Sequence, residues 1–169
     1  MKLIEALKAT KELARKASDI REKILKHSAH LSYETPVYFN QKQQVSEWLQ
    51  SYSDILKEIL RLRIAIQKTN LTTVVSINVG GKDVNKSIAE WIHRRKDLAL
   101  LEEMSWKALT DRNLREETRK ESTGQVTEIK IVRCYEPLLR DQKIDVYSNE
   151  PSVIDGKLEV ANAITNLIE

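Results

Sequence analysis

One cysteine, four glycines and three prolines in 169 residues leave this chain short of the residues that staple, bend and break a backbone. With Cys134 alone, no internal disulfide can form, and no pair of thiolates stands at zinc-site spacing. Scarce turn residues and only 5% aromatics argue against an all-β fold, where tight turns and pleated apolar faces need both. No window approaches 18 consecutive apolar residues, so no membrane-spanning helix is expected. The opening MKLIEALKATKELARK is amphipathic and charged, unlike the apolar middle of a signal peptide, so the expected location is the cytoplasm. A net charge of +3 is too small to favour nucleic acid as a partner. The charge is uneven: residues 1–70 hold 13 Lys/Arg against 8 Asp/Glu, and residues 71–169 hold 15 against 17. Neither G-x-G-x-x-G nor G-x-x-x-x-G-K-[ST] occurs, so nothing in the chain spells a phosphate-cradling loop.

What is abundant is helical periodicity. From Leu3 to about Ala29, Leu3, Ala6, Leu13, Ala17, Ile20 and Ile24 recur at three- and four-residue steps, with strong helix formers between them. Pro36 disfavours helix at Thr35, and Asn40 can cap a second helix over Gln41–Thr69. In that helix Val45, Tyr52, Ile59 and Ile66 share one heptad position, and Trp48, Ile55 and Leu62 share the other. This seam is more apolar than the alanine-rich stripe of the first helix can cover, which predicts a homo-oligomer built on it.

Leu71–Leu109 is the only stretch where turn glycines, a helix start and a dense basic cluster meet. Val75, Ile77 and Val79 alternate with Ser76 and Asn78 as in a half-buried strand, and Gly80-Gly81 suits a primed two-residue turn. Ser87 and Glu90 then match a capping box opening a long third helix. Beyond it, Arg115–Gln125 has no apolar residue and reads as a solvated helix end or a loop. Val126–Tyr135 alternates like a strand able to join the hairpin, with Cys134 buried in it. Pro137 opens a helix to about Tyr147, Asn149-Glu150-Pro151-Ser152 interrupts, and a last helix runs to Ile168. The reading is one mainly α domain over residues 1–169. Residues 1–70 form an antiparallel, coiled-coil-like helical hairpin, 71–112 a β-hairpin plus long helix, 113–126 a loop, and 127–169 a strand plus C-terminal helices.

Candidate chemistry concentrates in Glu90, His93, Arg94, Arg95 and Asp97. On a helix, Glu90 lies one turn from Arg94 and His93 one turn from Asp97, so salt bridges can form along the surface. Two adjacent guanidinium groups can also fork onto an anion or a partner protein. A His93–Asp97 pair can orient an imidazole as a base, but no nucleophile stands near it in sequence, so no catalytic residue is assigned. His27 and His30 lack a third ligand at metal-site spacing, and no metal or cofactor is expected. Tyr33, Tyr38 and Phe39 flank Pro36 and either pin that loop to the core or leave it sticky.

An ordered set of fragments carries a resemblance. MKLIEAL, Ile64 to Asn70, the Gly80-Gly81 hairpin before a helix, EIKIV, Asp155 to Leu158 with Ala161-Asn162, and Thr165 to Leu167 resemble the septicolysin-like family of uncharacterised small bacterial proteins. The resemblance spans the whole chain and implies a helical fold with a small β element. The family's name implies a pore-forming, blood-cell-lysing toxin, with no catalytic residues to carry over. Two departures stand out: the LSYETPVYF loop, and Ala163 where many members hold an aromatic. The leading expectation is a non-enzymatic cytoplasmic protein that self-associates and presents a surface to a further protein. Its alternatives are a membrane-active cytolysin, and anion or nucleic-acid binding by the central basic helix.

Overall fold

The computed structural model describes residues 1–169 and shows a mainly helical chain carrying two separate two-stranded sheets. Helices α1 (Leu3–His27) and α2 (Gln41–Thr72) come first, followed by strands β1 (Val74–Val79) and β2 (Lys82–Ser87). A central helical run comprises α3 (Ile88–His93), a π-helical turn (Arg94–Leu98) and α4 (Ala99–Lys107). Strands β3 (Glu117–Lys120) and β4 (Val126–Ile129) precede α5 (Pro137–Ile164). The chain divides into two compact units. The first holds residues 1–75, 87–89 and 158–169; the second holds 76–86 and 90–157.

In the first unit α1 and α2 pack on each other along the expected stripes. Leu3, Ala6 and Ala17 of α1 are buried, as are Ile59, Leu62, Ala65 and Ile66 of α2. Small alanines on α1 let the two backbones come close, and each large α2 side chain so covered is worth about 1.5–3 kcal/mol. Asn40 caps α2 as its side chain predicts, accepting from the Gln43 amide at 3.2 Å. Where α1 ends, the rings of His27, Tyr38 and Trp48 gather at centroid separations of 5.3–5.6 Å. Tyr38 therefore pins its loop, whereas Tyr33 and Phe39 stand in solvent. Near the other end of α1, the Leu3 amide donates to the Thr165 carbonyl at 2.9 Å. The fully buried Thr69 hydroxyl donates to Ala65 O and accepts from the Ile168 amide, so one atom anchors the closing segment to α2.

In the hairpin Gly80 and Gly81 both take positive φ, +58° and +80°, as a primed two-residue turn requires. Gly80 is also sterically committed: a Cβ there would lie 3.1 Å from both methyl carbons of Val146. Inside the second unit Ile77, Trp91, Ala99 and Ile154 form the buried apolar set.

Three sequence expectations are corrected downstream. The stretch expected as a loop, 113–126, contains β3, which pairs antiparallel with β4 from Glu117↔Ile129 to Lys120↔Val126. Strand β4 stops at Ile129 and pairs with β3, not with the β1–β2 hairpin, so Cys134 lies beyond it and is exposed. The pair needs no apolar face because every residue in it remains exposed. Finally, the two C-terminal helices are one, and α5 runs unbroken through Pro151. The proline ring removes one helical hydrogen bond, to the Tyr147 carbonyl, at a cost of ~3 kcal/mol. Buried Ile154, Leu158 and Ala161 lie beyond it on α5, and their burial offsets that loss.

Candidate functional site

The second unit contains a cleft of about 290 Å³ walled by the β1–β2 hairpin, the central helical run and α5. Each wall is shaped by a local departure from regular structure. The hairpin contributes Gly80 at positive φ. The central run contributes Arg94, first residue of the π-helical turn. Such wide turns inside α-helices occur often at functional sites because they re-aim the side chains they carry. Helix α5 contributes Tyr147 and Glu150, just ahead of Pro151.

Arg94 organises the electrostatics. Its Nε donates to Glu150 Oε1 at 2.7 Å and its Nη2 to Glu150 Oε2 at 2.6 Å, while Nη1 reaches Glu102 Oε1 at 3.1 Å. The Glu150 carboxylate is almost wholly buried, with 2% of its side chain exposed. Desolvating that charge is costly, and the two-bond fork supplies its compensation. The guanidinium also lies 5.7 Å from the centre of the Tyr147 ring. These carboxylates, Glu150 foremost, hold the guanidinium pKa above its usual value. Glu102 lies below the usual carboxylate range, first because the Tyr147 hydroxyl hydrogen-bonds it, and then because of Arg94 and nearby Lys143. The same hydrogen bond and partial burial push the Tyr147 phenol up.

Of the five residues singled out in the sequence, the structure brings one into the cleft. Arg94 is there, bonded to carboxylates 56 and 8 residues away. Arg95 pairs with Asp155 at 2.6 Å. Both guanidinium groups are thus engaged within the chain. Glu90, His93 and Asp97 are exposed, and none of them lines the cleft.

The seam residues Ile59, Leu62 and Ile66 are buried, and Val45, Trp48, Tyr52 and Ile55 are half-buried. The C-terminal half of that seam is covered within the chain, and its N-terminal half is covered in part. The outer side of α2 is different. Leu49, Leu56, Leu60, Ile64 and Leu71 form a second stripe, each between 45% and 67% exposed. Leu49 and Leu56 lie outside the two heptad positions of the seam, and their spacing with Leu60 and Ile64 is the sequence signal for this stripe. No helix is long and apolar enough to cross a membrane.

The other polar residues of the cleft carry no mark in the sequence as site residues: the lysines Lys82, Lys86 and Lys143, and the Arg94 neighbours Glu102, Tyr147 and Glu150. The first two stand at alternate positions of β2 with Val84 between them, a period-two pattern hidden by the shortness of the strand.

The profile of a family of unknown function, DUF6847, matches residues 10–167. Comparison with curated proteins finds no match. The solved structure of a functionally unknown conserved protein from Corynebacterium diphtheriae is similar over 99% of each chain, with a TM-score of 0.58 and 22% identity. At that identity the likeness speaks for the fold alone.

Proposed function

The chain belongs to DUF6847, a family of unknown function, and from its own geometry we propose that it is a non-enzymatic cytoplasmic protein that self-associates through the outer side of α2. The observation that carries this reading is the order of the exposed stripe. Leu49, Leu56, Leu60, Ile64 and Leu71 are spaced seven, four, four and seven residues apart, a pattern that reads the same in both directions. A two-fold interface joins a patch to itself, so the patch must be self-complementary. Two antiparallel copies of α2 centred on Leu60 set Leu60 against Leu60, Leu56 against Ile64, and Leu49 against Leu71. The stripe is about 33 Å long at 1.5 Å per residue, long enough for sustained helix pairing. Exposed large apolar side chains aligned on one helix face point to an interaction surface. The α1–α2 pair, read as antiparallel and coiled-coil-like, then serves as the scaffold that presents the stripe.

Cysteine trapping tests the geometry directly. In a Cys134→Ser background, Leu60→Cys should form a disulfide-linked dimer on mild oxidation, and Arg15→Cys on α1 should not. Equal trapping at the two positions, or none at Leu60, would overturn the proposed pairing.

The septicolysin-like resemblance offers membrane lysis as the other reading. The absence of a helix able to cross a bilayer gives that reading no support from the helical part of the chain.

A further inference from the structure

The cleft of the second unit has a composition that self-association does not explain. Four cations line it, Lys82, Lys86, Arg94 and Lys143, against two carboxylates, Glu102 and Glu150, an excess of two positive charges. Arg94 is spent on the two glutamates. None of the three lysine ammonium groups is held in an ion pair, although Lys143 stands close enough to Glu102 to lower its pKa. Beneath these amines the surface is apolar: Val79, Val84 and Val146 close it, with the indole of Trp91 buried behind.

We propose that this cleft binds a small organic acid, its apolar body lying on the valine–tryptophan floor and its anionic head among Lys82, Lys86 and Lys143. Charge and shape both favour this class. A lysine ammonium is a mobile point charge that follows an anionic head without demanding the planar fork geometry of arginine. An apolar floor with few convergent polar groups is the usual make-up of a small-molecule site, and 290 Å³ lies just under the lower end of their ~300–1,000 Å³ range, which suits a small ligand. The Arg94–Glu150 fork has a distinct part here. It neutralises the buried carboxylate that would otherwise repel the acid, and it fixes the wall on which Tyr147 stands. Arg94 is therefore a positioning residue, and the lysines are the contacting ones.

Isothermal titration of the full chain with 2-naphthoate tests the proposal, with 2-naphthamide and inorganic phosphate as the other arms. Saturable one-to-one binding of naphthoate is expected. The neutral amide should bind at least tenfold more weakly, as should phosphate, which lacks the apolar body. Lys82→Gln/Lys86→Gln should weaken naphthoate at least tenfold and leave the ligand-free melting temperature unchanged, since the lysine ammonium groups hold no partner in the fold. Val84→Trp, which fills the floor, should abolish binding with all lysines in place. Naphthoate binding that survives both variants would overturn the assignment, as would equal binding of the amide or no binding of naphthoate. Phosphate matching naphthoate would remove the organic body from it.

Discussion

Arg94 and Glu150, 56 residues apart, meet in a two-bond fork whose carboxylate is nearly inaccessible to water. Replacing one partner leaves the other charge buried without compensation, which typically costs about 3–5 kcal/mol. Arg94→Met should therefore lower the melting temperature by roughly 6–20 °C for a chain of this size. Arg94→Met/Glu150→Leu should recover most of that loss, because paired apolar replacements of a buried ion pair are often neutral. Calorimetry on the single and double variants checks this. A double variant as unstable as the single would show that the fork contributes more than charge compensation.

Glu102 supplies a pH dependence. Its carboxyl is held below the ordinary value of 4.5 by the hydrogen bond from Tyr147, then by Arg94. A lowered folded pKa gives stability that is fully present above the unfolded value and lost as pH falls through the folded one. The stability difference between wild type and Glu102→Gln should thus be flat above about pH 5 and shrink below pH 4.5. The Tyr147 phenol works in the opposite sense: raised in the fold, its contribution is intact below the ordinary value of 10 and lost at higher pH. Urea midpoints measured from acid to neutral pH check the Glu102 limb. A difference unchanged down to pH 3 would rule out this linkage.

Thr69 ties the closing segment to α2 with a single hydroxyl, donating to Ala65 O and accepting from the Ile168 amide. Thr69→Val keeps the volume, removes the acceptor and orphans a backbone donor. Such a loss costs about 1–3 kcal/mol. Hydrogen exchange at Ile168 should accelerate in step with the stability loss; an unprotected Ile168 amide in the wild type would contradict the anchor.

Much of this fold could be read from local chemistry, and the candidate site mostly could not. Asn40, the Gly80-Gly81 turn and the Leu3–Ala6–Ala17 stripe act within a few residues of themselves, so sequence displays them directly. Strand β3 was hidden because it has no apolar face, only a backbone ladder to β4 and Gly124 in the turn. Pro151 reads as a stop, yet α5 continues through it into Ile154, Leu158 and Ala161, whose burial is a tertiary property. The π-helical turn leaves no mark on RRKDL, and sequence paired Arg94 with Glu90 one turn away instead of with Glu150. Cys134 looked buried only because its alternating stretch looked like a longer strand.

The lytic reading carries its own test. A self-associating protein that keeps its apolar stripe for a second copy has no need of lipid. Micromolar protein should release no dye from phosphatidylcholine–cholesterol vesicles or from anionic ones. Dose-dependent leakage that disappears on heat denaturation would put the cytolytic function first.

The mass of the wild-type protein in solution tests the account most directly. Light scattering across micromolar concentrations should give twice the 19.5 kDa of one chain, and Leu56→Glu/Leu60→Glu should return it to one chain with the helical circular dichroism retained. A wild-type mass of 19.5 kDa throughout that range would contradict self-association through α2.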